Sequence, residues 1–235
     1  MRFSNWQALG NRYLLAERAD LAEPLTPDRV REAVGDADGI LEVLAIEGAE
    51  AEIRIWNPDG STAELSGNGT RIAARWLALR TGAETVTIRV GERTVAARML
   101  EPPNVEQDLG EVKVGEEVER VSGFDVVPVD VGNPHAVVRG DPDDIQRIGP
   151  LLEAHPRFPN RTNVQVAREE RPGEVTARVW ERGVGETSSS GTSAVAVAAA
   201  FGAPETVVHF PGGDLHVRIE NGRAWLTGPA EEVVA

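Results

Sequence analysis

Two short runs hold the residues best suited to chemistry: "ELSGNGTR" at 64–71 and "TSSSGTSAV" at 187–195. Each places a serine and a glycine directly ahead of a helix-forming stretch. A helix start exposes unpaired backbone N–H groups and about half a positive charge. Small residues there let an anion approach. If the starts at Ser66 and Ser190 face one cleft, a carboxylate held between them has a hydroxyl on each side. That arrangement suits a reaction at a carbon bearing a carboxylate. One group removes its proton, the other delivers a proton to the opposite face, and the N–H groups stabilise the carbanion. Taken singly, each serine reads as an ordinary N-cap.

The spacing around the two runs argues for more than capping. Trp56 precedes Ser66 by ten positions, and Trp180 precedes Ser190 by ten (66 − 56 and 190 − 180). The offset between the pairs is 124 in both cases (180 − 56 and 190 − 66). "LGNRY" at 9–13 and "VGNPH" at 131–135 repeat with an offset of 122 between Asn11 and Asn133 (133 − 11). Similar offsets at three landmarks indicate two structurally similar halves. Polar loops, "NPDGS" at 57–61 and "ERGVGET" at 181–187, precede the two starts. Glu181 and Arg182 form either a surface ion pair or a charged rim of the cleft. His135 is a structural histidine or, beside a cleft, a proton relay. Asn11, Asn57, Asn133 and Asn163 each read as turn residues when taken alone.

The elements that must position these residues are mostly strands. "EVLAIEGAEAEIRIW", "TVTIRVGERTVAARML", "VVPVDVGNPHAVVRG" and "TVVHFPGGDLHVRIENGRAWLTG" carry β-branched residues in short alternating runs. Helices are expected at about 26–34, 69–81, 143–154 and 191–201, the first from a Thr26 cap with Pro27 at the first helical position. The stretch 193–201 is apolar on every side, as a helix buried all round must be. The fold class is α+β: two pseudo-symmetric domains, each a curled, mostly antiparallel sheet around a central helix. The halves are expected at 1–108 and 109–228, with the tail, about 229–235, a candidate to return to the first.

Composition narrows the function. Lys plus Arg total 24 and Asp plus Glu 38, a net charge of -14. No basic cluster suits a nucleic acid. The longest apolar run, near 194–203, is too short to span a bilayer. The N-terminus lacks an apolar signal core, so no membrane partner and a cytoplasmic location are expected. The chain has no cysteine, which excludes disulfides, thiolate metal sites and thiolate catalysis. No metal site is expected.

"ALGNRY", "WNPDGSTAELSGNGTR", "VGNPHAVV", "FPNRTNVQV" and "WERGVGETSSSGTSA" occur in this order and together resemble the diaminopimelate epimerase family. The resemblance runs from Phe3 to about Gly228. It implies two domains with the site between them, and a cofactor-independent isomerase of lysine biosynthesis. Such enzymes interconvert LL- and meso-diaminopimelate, a small amino acid, by two-base proton transfer; members are often homodimers. It implies that Gly67, Asn68, Gly191 and Thr192 hold the reacting carboxylate through their backbones. Asn57, Asn163 and Arg182 match the positions that hold the distal end of the substrate, and Asn11, Asn133 and Glu181 match other contacts. His135 and Glu181 match groups near the catalytic pair. The sequence departs where the family carries cysteine: Ser66 and Ser190 stand at both catalytic positions. A hydroxyl is far less acidic than a thiol, so at neutral pH it supplies far less of the basic anion and needs an adjacent base. Arg12 replaces an acid, Ser193 replaces a glycine, and the segment before Asp38-Gly39 is short. The alternatives are a diverged isomerase or dehydratase on another amino acid, and an inactive amino-acid binder.

Overall fold

The computed structural model describes residues 3–233. Its strands are β1 (Ser4–Ala8), β2 (Asn11–Glu17), β3 (Gly39–Glu47), β4 (Glu50–Trp56), β5 (Thr62–Ala63), β6 (Thr85–Val90), β7 (Arg93–Met99), β8 (Asn104–Glu111), β9 (Lys113–Val114), β10 (Glu119–Val121), β11 (Phe124–Asp130), β12 (Pro134–Arg139), β13 (Asn163–Arg171), β14 (Glu174–Glu181), β15 (Gly185–Thr187), β16 (Glu205–Phe210), β17 (Gly213–Glu220), β18 (Arg223–Pro229) and β19 (Glu231–Glu232). The α-helices are α1 (Pro27–Ala33), α2 (Gly67–Thr81), α3 (Ile145–Glu153) and α4 (Gly191–Phe201). The chain folds as two compact units. One contains residues 3–108 and takes back 228–233; the other is Leu109–Thr227. The tail pairs antiparallel with β1, Trp6 opposite Glu232; its last two residues, 234–235, lie outside the described residues.

In the first unit α1 connects β2 to β3 and α2 connects β4 to β6, and both strand pairs are parallel. In the second unit α3 connects β12 to β13 and α4 connects β14 to β16, again as parallel pairs. Each helix is thus the crossover that a parallel pair requires. The remaining pairings described are antiparallel, so the expected mostly antiparallel sheet carries two parallel steps in each unit. The repeat extends to register. Ile40 lies opposite Trp56, and Val164 opposite Trp180; both pairs are offset by 124 (164 − 40 and 180 − 56).

The helices form near the expected positions. Thr26 caps α1 by accepting from the Arg29 N–H, with Pro27 next. Gly67 opens α2, two residues before the expected 69, because Ser66 rather than Asn68 takes the cap. α3 begins at Ile145 because residues Pro142–Asp144 form a tighter 3-10 turn. α2 packs on β1, β2, β4, β6 and β7 of its unit, burying Ile72, Ala73, Ala74 and Leu77. α4 packs on β11 to β14, β16 and β17. Nine of its eleven residues, all but Ala199 and Phe201, are buried, which is why charge is absent from every face. Among the described residues no helix is long and apolar enough to cross a membrane.

Candidate functional site

Ser66 is the N-cap of α2. Its hydroxyl accepts the Gly69 N–H at 3.0 Å and lies 3.2 Å from the Tyr13 hydroxyl. Behind it runs a buried polar chain. Asn68 Nδ2 donates to Asn11 Oδ1 at 2.7 Å, and Asn68 Oδ1 accepts from the Arg71 guanidinium at 2.8 Å. Arg71 Nε donates to the Pro229 carbonyl at 2.9 Å, so the returning tail ends on this chain. The Arg71 side chain is fully buried, and its Nη1 has no hydrogen-bond partner among the described residues. Burial lowers its pKa to about 9, which leaves it a cation at neutral pH. The Gln107 amide backs the same turn. With its oxygen toward the helix it accepts from Thr70 Oγ1 and the Arg71 N–H, and its nitrogen donates to the Gly67 carbonyl.

The loop before α2 closes on itself. Asn57 N–H donates to the Ser61 carbonyl at 2.8 Å and Gly60 N–H to the Asn57 carbonyl at 3.0 Å. The Asn57 side chain donates to Ser61 Oγ. Arg12 turns toward the shortened segment, its N–H donating to Asp38 Oδ2 at 2.7 Å and its guanidinium to the Asp36 carbonyl.

In the second unit Ser190 is the N-cap of α4, but its hydroxyl makes no cap hydrogen bond. It is buried, as are Gly191 and Thr192. The backing network differs in kind. His135 Nε2 lies 2.9 Å from Asn133 Oδ1, and its Nδ1 lies 3.0 Å from Gln165 Nε2. With that amide nitrogen donating to Nδ1, the ring proton sits on Nε2 and goes to Asn133. Gln165 Nε2 also donates to Ser193 Oγ at 2.9 Å, so the serine that replaces a glycine here serves the network. Burial pushes the His135 pKa down to about 3; the Arg182 cation acts in the same direction, against the Gln165 contact. Of the two roles open to His135, its contacts among the described residues are those of a scaffold. The buried, neutral ring has both nitrogens engaged, one on Asn133 and the other on Gln165, which reaches the helix start at Ser193.

Glu181 ends β14 and Arg182 opens the turn to β15, both partly exposed. Glu181 Oε1 accepts from Thr187 Oγ1 at 2.6 Å. The Arg182 N–H donates to Asn163 Oδ1 at 3.0 Å, and Asn163 Nδ2 donates to the Pro134 carbonyl at 3.0 Å. Asn163 thus ties the turn to the segment leading into His135. The second unit therefore brings together Asn133, His135, Asn163 and Arg182, and the first brings together Asn11, Ser66 and Asn68. Tyr13, Arg71, Gln107 and Gln165 were not singled out in the sequence. Tyr13, Arg71 and Gln165 lie inside the quoted motifs, and Tyr13 is the sole tyrosine of the chain; Gln107 carries no local signal. A shallow groove of about 430 Å³ on the first unit, bordered by Leu44, Arg54, Glu64 and Arg93, includes none of the expected residues.

Paired units of this kind, each with strands around a buried helix, define a fold shared with solved structures. A phenazine biosynthesis protein of the PhzF family from Bacillus anthracis superposes with a TM-score of 0.76 at 14% identity, over 100% of this chain and 98% of that one. Sequence narrows the class. The profile of the diaminopimelate epimerase family matches residues 127–233. The diaminopimelate epimerase of Desulforudis audaxviator is 36% identical, over 99% of this chain and 97% of that relative. That of Pelotomaculum thermopropionicum is 33% identical over the same shares. The chain belongs to the diaminopimelate epimerase family.

Proposed function

We propose that this protein is a cofactor-independent amino-acid epimerase acting on diaminopimelate, converting the LL to the meso form. The observation that carries the reading is the pair of serine-glycine helix starts, set in matching registers of two repeated units. Relatives that bear the epimerase name match almost the whole chain. In this reading the two starts serve one substrate from opposite faces. The backbone N–H groups of Gly67, Asn68, Gly191 and Thr192 hold its α-carboxylate. The α-C–H bond breaks, its proton passes to a base at one serine, and its electron pair delocalises into the carboxylate. The serine on the other face donates a proton to re-form the C–H bond with inverted configuration. Arg182 grips the distal carboxylate as a bidentate donor, with Asn57, Asn163, Asn11, Asn133 and Glu181 completing the enclosure. The partners are thus a small amino acid and, by the family resemblance, a second copy of the chain, in the cytoplasm.

The test is incubation of LL-diaminopimelate with the protein in heavy water, followed by NMR. The reading requires loss of the α-proton signal together with appearance of the meso isomer. Tight binding without exchange would reduce the protein to an amino-acid binder, and exchange confined to another amino acid would move the substrate.

A further inference from the structure

Glu153, at the end of α3, belongs to neither helix start and to none of the motifs. Its side chain is almost fully buried. One oxygen, Oε2, accepts the Trp180 indole N–H at 2.8 Å. The other, Oε1, accepts the Gly183 N–H at 2.7 Å and pairs with the Arg161 guanidinium. The Trp180 ring reaches this carboxylate because it lies flush on α3 at Gly149. A Cβ on Gly149 would sit 2.6 Å from Trp180 Cγ. Gly183 is the residue after Arg182, in the turn with φ near +80°. The preceding amide, that of Arg182, is taken by Asn163. Two successive backbone N–H groups of the turn are thus gripped from outside by side-chain oxygens. The turn adds one described backbone bond of its own, Val184 N–H to the Glu181 carbonyl at 3.1 Å. Burial by itself would raise the Glu153 pKa, but the Gly183 and Trp180 N–H groups and Arg161 outweigh it and hold it below the usual value. The carboxylate is therefore charged at neutral pH, and charge-assisted hydrogen bonds are the stronger kind.

We propose that Glu153 is a positioning residue for Arg182: by clamping the Gly183 amide it fixes the backbone on which the guanidinium is mounted, so that Arg182 meets the substrate's distal carboxylate already oriented. Site residues hold their geometry only when a supporting shell locks them; the Arg182 guanidinium itself makes one long contact, to the Asn160 carbonyl at 3.5 Å, so its placement depends on the backbone that Asn163 and Glu153 hold. The inference rests on the reading that Arg182 grips a carboxylate.

The experiment is calorimetric binding of meso-diaminopimelate to the full chain, below each variant's melting temperature. The variants are Arg182→Ala, Glu153→Gln, Glu153→Ala and Arg182→Ala combined with Glu153→Gln. Residues acting through one contact are non-additive. Glu153→Ala is expected to weaken binding about tenfold and Glu153→Gln less, because glutamine keeps one acceptor for the Gly183 N–H. In the Arg182→Ala background Glu153→Gln is expected to cost nothing further. Should Glu153→Ala fail to fold, the glutamine cycle alone decides. If Arg182→Ala weakens binding while Glu153→Gln does not, or if the two losses add in full, the positioning role is overturned and the arginine reading stands. If Arg182→Ala leaves affinity unchanged, both fall.

Discussion

The two helix starts share a sequence pattern and differ in what supports them. At α2 the serine hydroxyl is committed to capping, and the support is a buried cation, Arg71, that reaches the returning tail. At α4 the hydroxyl makes no cap bond, and the support is a neutral histidine with two amide partners. Position 195, 124 residues after Arg71, is a buried valine. The preceding turns differ in the same sense. The 57–61 turn is closed by its own atoms and by the Arg31 guanidinium of α1 on the Asp59 carbonyl, whereas two N–H groups of the 181–185 turn are taken by the side chains of Asn163 and Glu153. Duplicated backbone patterns can thus be kept while the charge behind them moves. In the second unit Arg182 stands on the turn itself; in the first Arg71 is a buried residue of the helix and Arg31 reaches the turn from α1.

The largest effect should come from restoring thiols. Ser66→Cys with Ser190→Cys is expected to raise epimerisation of diaminopimelate by orders of magnitude. A thiol near pKa ~8.5 can be tuned into the neutral range by a helix start, and a hydroxyl cannot. Each tenfold gain corresponds to about 1.4 kcal/mol of barrier. Either single change should yield less than the pair, because both faces need service. A double-cysteine protein as slow as the parent would show that the two starts no longer act on one substrate.

The neutral histidine predicts an acid sensitivity particular to the second unit. The folded pKa of His135, about 3, lies below its ordinary 6.5. Below pH 6.5 the unfolded chain therefore binds a proton that the folded chain refuses. The stability this protects is fully present above 6.5 and is lost as pH falls toward 3, at roughly 1.4 kcal/mol per pH unit. Denaturant unfolding of the parent and His135→Gln between pH 6.5 and 5, above the carboxylate range, should show the parent losing stability more steeply. Parallel slopes would mean that the imidazole is charged in the folded protein.

The smallest effect separates the two serines as caps. Ser66→Ala is expected to cost about 1 kcal/mol of stability by loss of the Gly69 bond. Ser190→Ala, with no cap bond to lose, should cost less than Ser66→Ala. Equal losses in thermal unfolding would erase the distinction between the two helix starts.

The sequence by itself determined the repeat, the element types and the two serine-glycine starts. Their signals are local: β-branched alternation, a Thr-Pro cap, and an alanine-valine run without charge all act within a few residues. The 124-residue offset survived in Trp56 and Trp180 because each indole fills a fixed place in the sheet, opposite Ile40 and Val164, and donates to a buried carboxylate, Glu42 in one unit and Glu153 in the other. Those carboxylates, on a strand and a helix respectively, have no common spacing from their tryptophans, and only the tertiary structure showed them. It also decided the state of His135. A lone histidine in "GNPH" reads first as scaffold and, beside a cleft, as relay; its burial and its contact with Gln165, thirty residues away, are invisible to local pattern. Arg71 falls in the same class. Its position on the helix was readable, but whether an arginine at a helix's fifth residue is solvated or buried depends on what covers it. Here that cover includes a tail arriving from residue 229. Long-range contacts of this kind form only when chain segments far apart in sequence meet, so no local pattern can encode which of two compatible roles a polar side chain takes.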